Sequence, residues 1–258
     1  SDQKRGRLFL VPAPLDFGCE QQAPLEDALP RATIGQAAQL SHWICENAKS
    51  TRAYLKRVDA IQALATPIQA QQITELPREV HKKGDHGDKG ASVFDARPLL
   101  AAALQGHDMG LVSEAGMPAV ADPGSSIVRA AHDLGIPVVP LVGPVSLLLA
   151  LAASGMNGQN FAFVGYLPQS VQERAQRIRE LESFALKTGQ TQVFIETPYR
   201  NAALWQALTQ TLQTNTRLAM AAGLTLESAK LCSLPVKQWR QREIPVDNRT
   251  PTVFLIGR

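Results

Sequence analysis

Apolar residues along this chain form short runs the length of β-strands, separated by helical spacing or by glycine and proline. The first run, Leu8–Val11, ends at Pro12 and predicts a strand. Apolar side chains then recur with helical spacing over residues 35–58, so a helix is predicted there. A further strand is predicted over residues 69–76.

Residues 80–90 contain three glycines and show no apolar periodicity, which predicts a solvated loop. A helix is predicted to follow, with Ser92 as its N-cap and its end near Gln105. Four potential metal ligands lie in the loop: His81, Asp85, His86 and Asp88. Because a glycine-rich loop does not hold ligands in a preformed geometry, we predict no metal site.

The most regular pattern covers residues 110–155. The predicted elements are, in order, strand 110–113, helix 125–134, strand 137–141 and helix 146–154. Asp122 is expected at or near the N-cap of the first helix, with Pro123 at its first turn, and Gly135 and Gly155 end the two helices. This alternation is typical of parallel strands buried on both faces.

Beyond Gly155 the order of elements changes. The patterns predict strand 161–167, helix 171–187, strand 192–195, helix 199–212 and strands 216–226, 230–234 and 252–256. The change falls within residues 143–158, so we predict two α/β domains, 1–142 and 143–258.

Composition places the chain among ordinary globular proteins, with 258 residues, 45% hydrophobic and 19% charged. The net charge of +3 permits an RNA partner without arguing for one. The three cysteines form no CxxC pair, which suits a reducing compartment. No apolar run reaches the roughly 18 residues of a membrane span, and the first residues lack the apolar stretch of a signal peptide. We therefore expect a cytoplasmic protein.

Two turns that follow predicted strands are poor in bulky side chains: residues 112–124 and 139–146. In parallel sheets ligands bind at the carboxyl ends of the strands, and small residues let a ligand approach the backbone. We expect the two turns to lie side by side and to form a cofactor site. Their glycines and prolines would also be explained if they served only as turns between a strand and a helix. The glycine patterns of dinucleotide-binding and phosphate-binding loops are absent, which disfavours a dehydrogenase or a kinase.

The two turns also carry a family resemblance. The segments that bear it are 113–118, 121–124, 140–146, 163–168, 194–200 and 252–256. Together and in this order they resemble the tetrapyrrole-methylase superfamily, and within it the bacterial branch that methylates small-subunit ribosomal RNA. The resemblance implies two α/β domains with the methyl donor, S-adenosylmethionine, in the cleft between them, and a homodimer.

The resemblance also implies which residues touch the donor. These are Pro14, Ser113, Glu114, Ala115, Val120, Ser146, Leu147, Glu196 and Ala222. Three carboxylates are candidates for the general base: Glu114, Asp16 and Glu196. Each also has a structural interpretation; Glu114 could bind the donor or a loop amide, and Asp16 could cap a helix.

The resemblance implies a ribose 2′-hydroxyl of small-subunit ribosomal RNA, or a related polar group, as the methyl acceptor. A tetrapyrrole precursor is the alternative acceptor, and a donor-binding module without catalysis is a third reading. Where the ribosomal branch has Asp and Thr, this chain has Glu114 and Met117, and its first loop, 12–17, also differs. If RNA binds, phosphate contacts are expected on helix 171–187 and on the pair Tyr199 and Arg200.

Overall fold

The computed structural model describes residues 4–83 and 94–258. The described chain divides into two compact units, one made of residues up to 17 with 23–144, the other of 18–22 with 145–258. Each unit contains one five-stranded sheet with helices packed on it.

The sheet of the first unit is entirely parallel. Its strands are β1 (Leu8–Val11), β2 (His42–Cys45), β3 (Gln72–Glu75), β4 (Met109–Val112) and β5 (Val138–Pro140), in the spatial order β3-β2-β4-β1-β5. The registers align the carboxyl ends, since Val11 and Cys45 both pair with Val112. All strands therefore end at one edge of the sheet, as predicted for β4 and β5.

Helices cover both faces of this sheet. They are α1 (Arg31–Gln39), α2 (Ala48–Asp59), α3 (Arg78–Lys83), α4 (Ala101–Leu104) and α5 (Ser125–Asp133). One core contains Trp43 with residues of α1 and α2, and the other contains Ile44 and Leu111 with residues of α5. Neighbouring residues of a strand thus enter opposite cores, which is the alternation of a pleated strand.

The predicted helix over residues 35–58 is wrong in its middle, where β2 lies between two helices. β2 lies between β3 and β4, and both of its faces are buried because Trp43 and Cys45 enter one core and Ile44 enters the other. A strand buried on both sides has apolar residues at consecutive positions, and these matched a helical spacing with the apolar residues around them.

The region after β3 also differs from expectation. Residues 78–83, expected partly as loop, are helical in α3, whereas 84–90 and the predicted cap Ser92 lie outside the described residues. The helix expected to run to Gln105 is a 3-10 turn, Arg97–Leu100, followed by the short α4. Pro98 in the first turn fits a helix start there, because its missing N–H would have no helical acceptor.

The second unit has a mixed sheet. Its strands are β6 (Phe161–Tyr166), β7 (Thr191–Ile195), β8 (Arg217–Ala222), β9 (Lys230–Pro235) and β10 (Thr252–Gly257), in the order β6-β7-β10-β8-β9. Only β6 and β7 pair in parallel, and the remaining pairs are antiparallel. Its helices are α6 (Ser146–Ser154), α7 (Val171–Thr188), α8 (Asn201–Thr211) and α9 (Val236–Trp239).

The second unit also has a core on each side of its sheet. Phe194 and Phe254 pack with residues of α7, α8 and α9, whereas Val193 and Leu255 pack with residues of α6. The strands and helices predicted beyond residue 155 are all present, with ends shifted by one to a few residues. Among the described residues, no helix is long and apolar enough to cross a membrane.

Candidate functional site

Three loops meet at the carboxyl edge of the first sheet, after β1, β4 and β5. The backbone groups of Ala13 and Gly116 exchange two hydrogen bonds of 3.0 Å, which join the first loop to the turn after β4. A Cβ added to Gly116 would lie 3.5 Å from the carbonyl oxygen of Pro144, in the turn after β5. A Cβ on Gly143 would lie 2.2 Å from the Pro12 ring, so the close approach of these loops requires glycine.

The two small-residue turns are therefore close, but not in the predicted way. β1 lies between β4 and β5, so the loop that contains Ala13 is inserted between the two turns. The sequence patterns are local and do not reveal that the first strand is inserted between β4 and β5.

The turn after β4 has an unusual backbone. Four of its residues have positive φ angles: Gly116, Ala119, Ala121 and Gly124. A left-handed conformation costs an alanine roughly 1–2 kcal/mol, so the surrounding structure holds this turn in place. Strain of this kind is frequent at ligand sites.

The expected cap of α5 is wrong. Gly124, with φ of 142°, occupies the N-cap position two residues after Asp122, and as a glycine it has no side chain to cap the helix. The positive φ angles at Ala119 and Ala121 redirect the chain, and the Asp122 carboxyl interacts electrostatically with Glu114 instead. Burial raises the pKa of Asp122 to about 6, and the charge of Glu114 adds to the rise.

The predicted donor contacts of the first unit lie on these loops. Pro14 and Ser113 are buried, Glu114 and Ala115 are half-buried, and Val120 is exposed. The Ser113 hydroxyl has no hydrogen-bond partner within residues 4–83 and 94–258, although it is shielded from solvent. A buried hydroxyl without a partner is costly, so a ligand with a hydrogen-bonding group would be stabilised here.

Asp16 is held by an arginine and does not cap a helix. Both guanidinium ends of Arg57 donate to its two carboxylate oxygens, at 3.1 and 3.0 Å, and Arg57 also donates to the carbonyl of Ala23 at 2.8 Å. Tyr54 adds a hydrogen bond of 3.3 Å to the carbonyl of Pro12. α2 thus fixes the first loop at two points, which gives Asp16 a positioning role.

The candidates of the second unit also lie near one another. Glu196 follows β7 and Ala222 ends β8, and β10 between them pairs Val253 with Ile195 and Ala221. Ala222 therefore lies at the same sheet edge as Glu196. Both are buried.

Two further candidates start α6. Ser146 is its first residue and is half-buried, and Leu147 is buried in the core formed with Val193 and Val253. The structure thus assembles the candidate residues in two groups, one in each unit.

Arg200 and the backbone hold the Glu196 carboxylate. One of its oxygens accepts from the amide of Thr197 at 2.7 Å and from Arg200 at 3.1 Å. Arg200 also donates to the hydroxyls of Thr197 and Tyr199, and its guanidinium lies over the Tyr199 ring. The side chain that was expected to contact RNA phosphates is therefore engaged within this unit.

Sequence patterns did not identify one carboxyl group at the first sheet edge. Glu46 directly follows β2, and one of its oxygens is shielded from solvent with no partner in the described part of the chain. Burial raises its pKa to about 8, and the charges of Asp122 and Glu114 add to the rise. The only signal in the sequence was that Glu46 directly follows an apolar run. That position points to the sheet edge only once the run is known to be a strand.

A family model described as Tetrapyrrole (Corrin/Porphyrin) Methylases matches residues 48–238. The chain is 31% identical over 198 residues to the ribosomal RNA small subunit methyltransferase I of Halalkalibacterium halodurans, which covers 76% of this chain and 57% of that protein. The protein of the same name from Escherichia coli O157:H7 is 31% identical over 202 residues, 78% of this chain and 59% of its own length. The chain spans about half the length of the curated relatives it matches.

Solved structures share the fold. The methyltransferase CobJ superposes with a TM-score of 0.56 at 16% identity, over 98% of this chain and 94% of that one. A uroporphyrin-III-C-methyltransferase from Thermus thermophilus gives 0.52 at 17% identity, over 98% and 92% of the two chains. At these identities the likeness concerns the fold alone.

Proposed function

Since the chain belongs to the tetrapyrrole (corrin/porphyrin) methylase family, we propose that it transfers a methyl group from S-adenosylmethionine to a ribose 2′-hydroxyl of small-subunit ribosomal RNA or a related polar acceptor. The names of its curated relatives support the RNA acceptor. The observation that carries the donor assignment is the convergence of the loops after β1, β4 and β5, whose close approach depends on Gly116 and Gly143.

The residues present at this edge fit such a donor. The Ser113 hydroxyl, which has no partner among the described residues, offers a hydrogen bond, and Glu114 and Ala115 beside it are half-buried. In the second unit, Ser146, Leu147, Glu196 and Ala222 are the proposed contacts. When bound, the donor supplies a methyl group activated by the positive charge on its sulfur.

The chain's own contribution is to position the reactants and to accept a proton. Because methyl transfer requires an in-line approach, positioning by fixed loops accounts for much of the rate. The acceptor hydroxyl loses its proton as the new O–C bond forms. Asp16 has both oxygens bound by Arg57, so we propose Glu114 as the base, which among the described residues accepts one hydrogen bond, from the Ser50 hydroxyl at 3.4 Å.

The proposal is tested in two steps. Calorimetry with S-adenosylmethionine measures donor binding, and Ala115→Trp should abolish it because the large ring covers the turn. Ala53→Trp, on the exposed face of α2, is the matched control and should leave donor affinity unchanged. If the wild-type protein does not bind at high micromolar donor, the methyltransferase proposal is wrong.

The second step identifies the acceptor. Tritiated methyl transfer is measured to 30S subunits from a bacterial strain that lacks the known ribosomal enzyme. Label in the 16S RNA supports the RNA acceptor, and unlabelled RNA with a donor-binding preparation rejects it. We also propose that the protein acts in the cytoplasm as a homodimer, and light scattering after size-exclusion chromatography measures the oligomeric state.

A further inference from the structure

Three carboxyl groups interact at the carboxyl ends of β2 and β4: Glu46, Glu114 and Asp122. The charges of Glu114 and Asp122 raise the pKa of Glu46, and the charge of Glu114 raises the pKa of Asp122. We call these three residues the carboxyl cluster. All three are half-buried, so their mutual repulsion is less screened than it would be on the surface.

Two shielded polar atoms have no partner among the described residues: one carboxyl oxygen of Glu46, in the carboxyl cluster, and the hydroxyl of Ser113, next to Glu114 in the chain. Ser113 is only 6% exposed. Cys45 pairs with Val112, so extending the register by one residue places Glu46 opposite Ser113. By the alternation of a strand, both then face the side on which α5 packs, and Asp122 lies in the turn that leads into α5.

The carboxyl cluster differs from the two other buried carboxylates of the candidate site. Asp16 is paired with Arg57, and Glu196 is paired with Arg200. Within the described ranges, no lysine or arginine forms an ion pair with any member of the cluster. Buried carboxylates without a cation retain protons, and the pKa of about 8 for Glu46 agrees with this.

The neighbouring titratable groups that the structure describes do not supply a positive charge. Cys45, at the end of β2, is a buried thiol whose pKa is raised by burial. Glu75, at the end of β3, is itself acidic and accepts a hydrogen bond of 2.8 Å from the amide of Ala48. The residues that the structure describes contain no group of three or more acidic, histidine or cysteine side chains arranged to hold a metal ion. An organic cation is therefore the better match.

We infer that Glu46 and Asp122, with Ser113 and Glu114, form an anionic binding site for a cationic group of the methyl donor, and that this cation displaces a proton that the carboxyl cluster retains. The inference rests on the proposed function, because it takes S-adenosylmethionine as the ligand. The donor offers two cations of this kind, its sulfonium and its amino group.

The test measures proton release during donor binding. Calorimetry between pH 6 and 8, in buffers with different ionisation enthalpies, gives the number of protons released by the wild-type protein and by Glu46→Gln. Because the amino group of the donor itself also titrates, the difference between the two proteins is the relevant quantity. We expect fewer protons released by Glu46→Gln and, at pH 8, about tenfold weaker binding, the factor that corresponds to about 1.4 kcal/mol.

Glu75→Gln is the matched control, since it changes a carboxyl group at the end of the neighbouring strand and keeps an acceptor for Ala48; it should behave as wild type. Asp122→Asn serves as a second variant if Glu46→Gln does not fold. S-adenosylhomocysteine lacks the sulfonium charge. If proton release persists when it binds, the cation that occupies the site is the amino group; if proton release is lost, the cation is the sulfonium. If the wild-type protein, Glu46→Gln and Asp122→Asn release equal numbers of protons on donor binding, this inference is wrong, whereas the proposed function is not affected. Absence of any donor binding overturns the proposed function as well.

Discussion

Replacing Arg57 with alanine tests how strongly α2 anchors the first loop. The side chain of Asp16 is 5% exposed and that of Arg57 is 23% exposed. Without the guanidinium, the Asp16 carboxylate stays buried without a cation, which costs about 3 kcal/mol, the low end for a buried pair because Arg57 is partly solvated. For a chain of this size such a loss lowers the melting temperature by about 6–12 °C. Thermal unfolding followed by circular dichroism measures it.

The chain supplies a matched control in Arg97→Ala. The pair Arg97 and Asp95 has almost the same N–O distance, 2.9 Å against 3.0 Å, but both side chains are more than half exposed. Exposed pairs contribute little, so no measurable change is expected. The combination of Arg57→Ala with Asp16→Asn should recover part of the stability, because a neutral amide leaves no buried charge. Equal shifts for Arg57→Ala and Arg97→Ala would refute the reasoning.

Three further predictions concern other parts of the chain. Gly110→Ala should destabilise the protein by about 1–3 kcal/mol, because its Cβ would lie 2.6 Å from the Trp43 ring, whereas Gly158→Ala meets open space and should be neutral in urea unfolding. Because the pKa of Glu46 is raised to about 8 in the folded state, the folded protein binds the extra proton, so stability should fall as pH rises from 5 to 8 and level off above; Glu46→Gln should flatten this slope. Glu196→Gln should weaken donor binding about tenfold by calorimetry, because it removes the charge that orders Arg200; unchanged affinity would remove Glu196 from the donor site.

Sequence patterns predicted elements well where the deciding contacts are local. β4, α5, β5 and α6 were recognised because each apolar run is short and bounded by glycine or proline. β2 was missed because Leu40, Ile44 and Ala48 are spaced four apart, as on one face of a helix. Only pairing with β3 and β4, which are distant in sequence, decides in favour of a strand.

The candidate site shows the same limit. Small residues in the turns after β4 and β5 indicated where loops converge, and the structure places those loops together. The proximity of Glu46 to Ser113 depends on the register between β2 and β4, which no local pattern encodes. The direction of Asp122 depends on left-handed alanines at 119 and 121, and alanine gives no sequence signal for that conformation.

The interior position of β1, between β4 and β5, affects how the polypeptide acquires its structure as it leaves the ribosome. Leu8 pairs with Met109 on one side and with Val138 on the other, so the first strand of this sheet to emerge has no partners until most of the first unit has been synthesised. β8 and β9, by contrast, are joined by a short connection and can pair as soon as both have emerged. The nascent chain thus exposes an apolar, unpaired strand for much of its synthesis, and this is the segment on which a holdase chaperone would act.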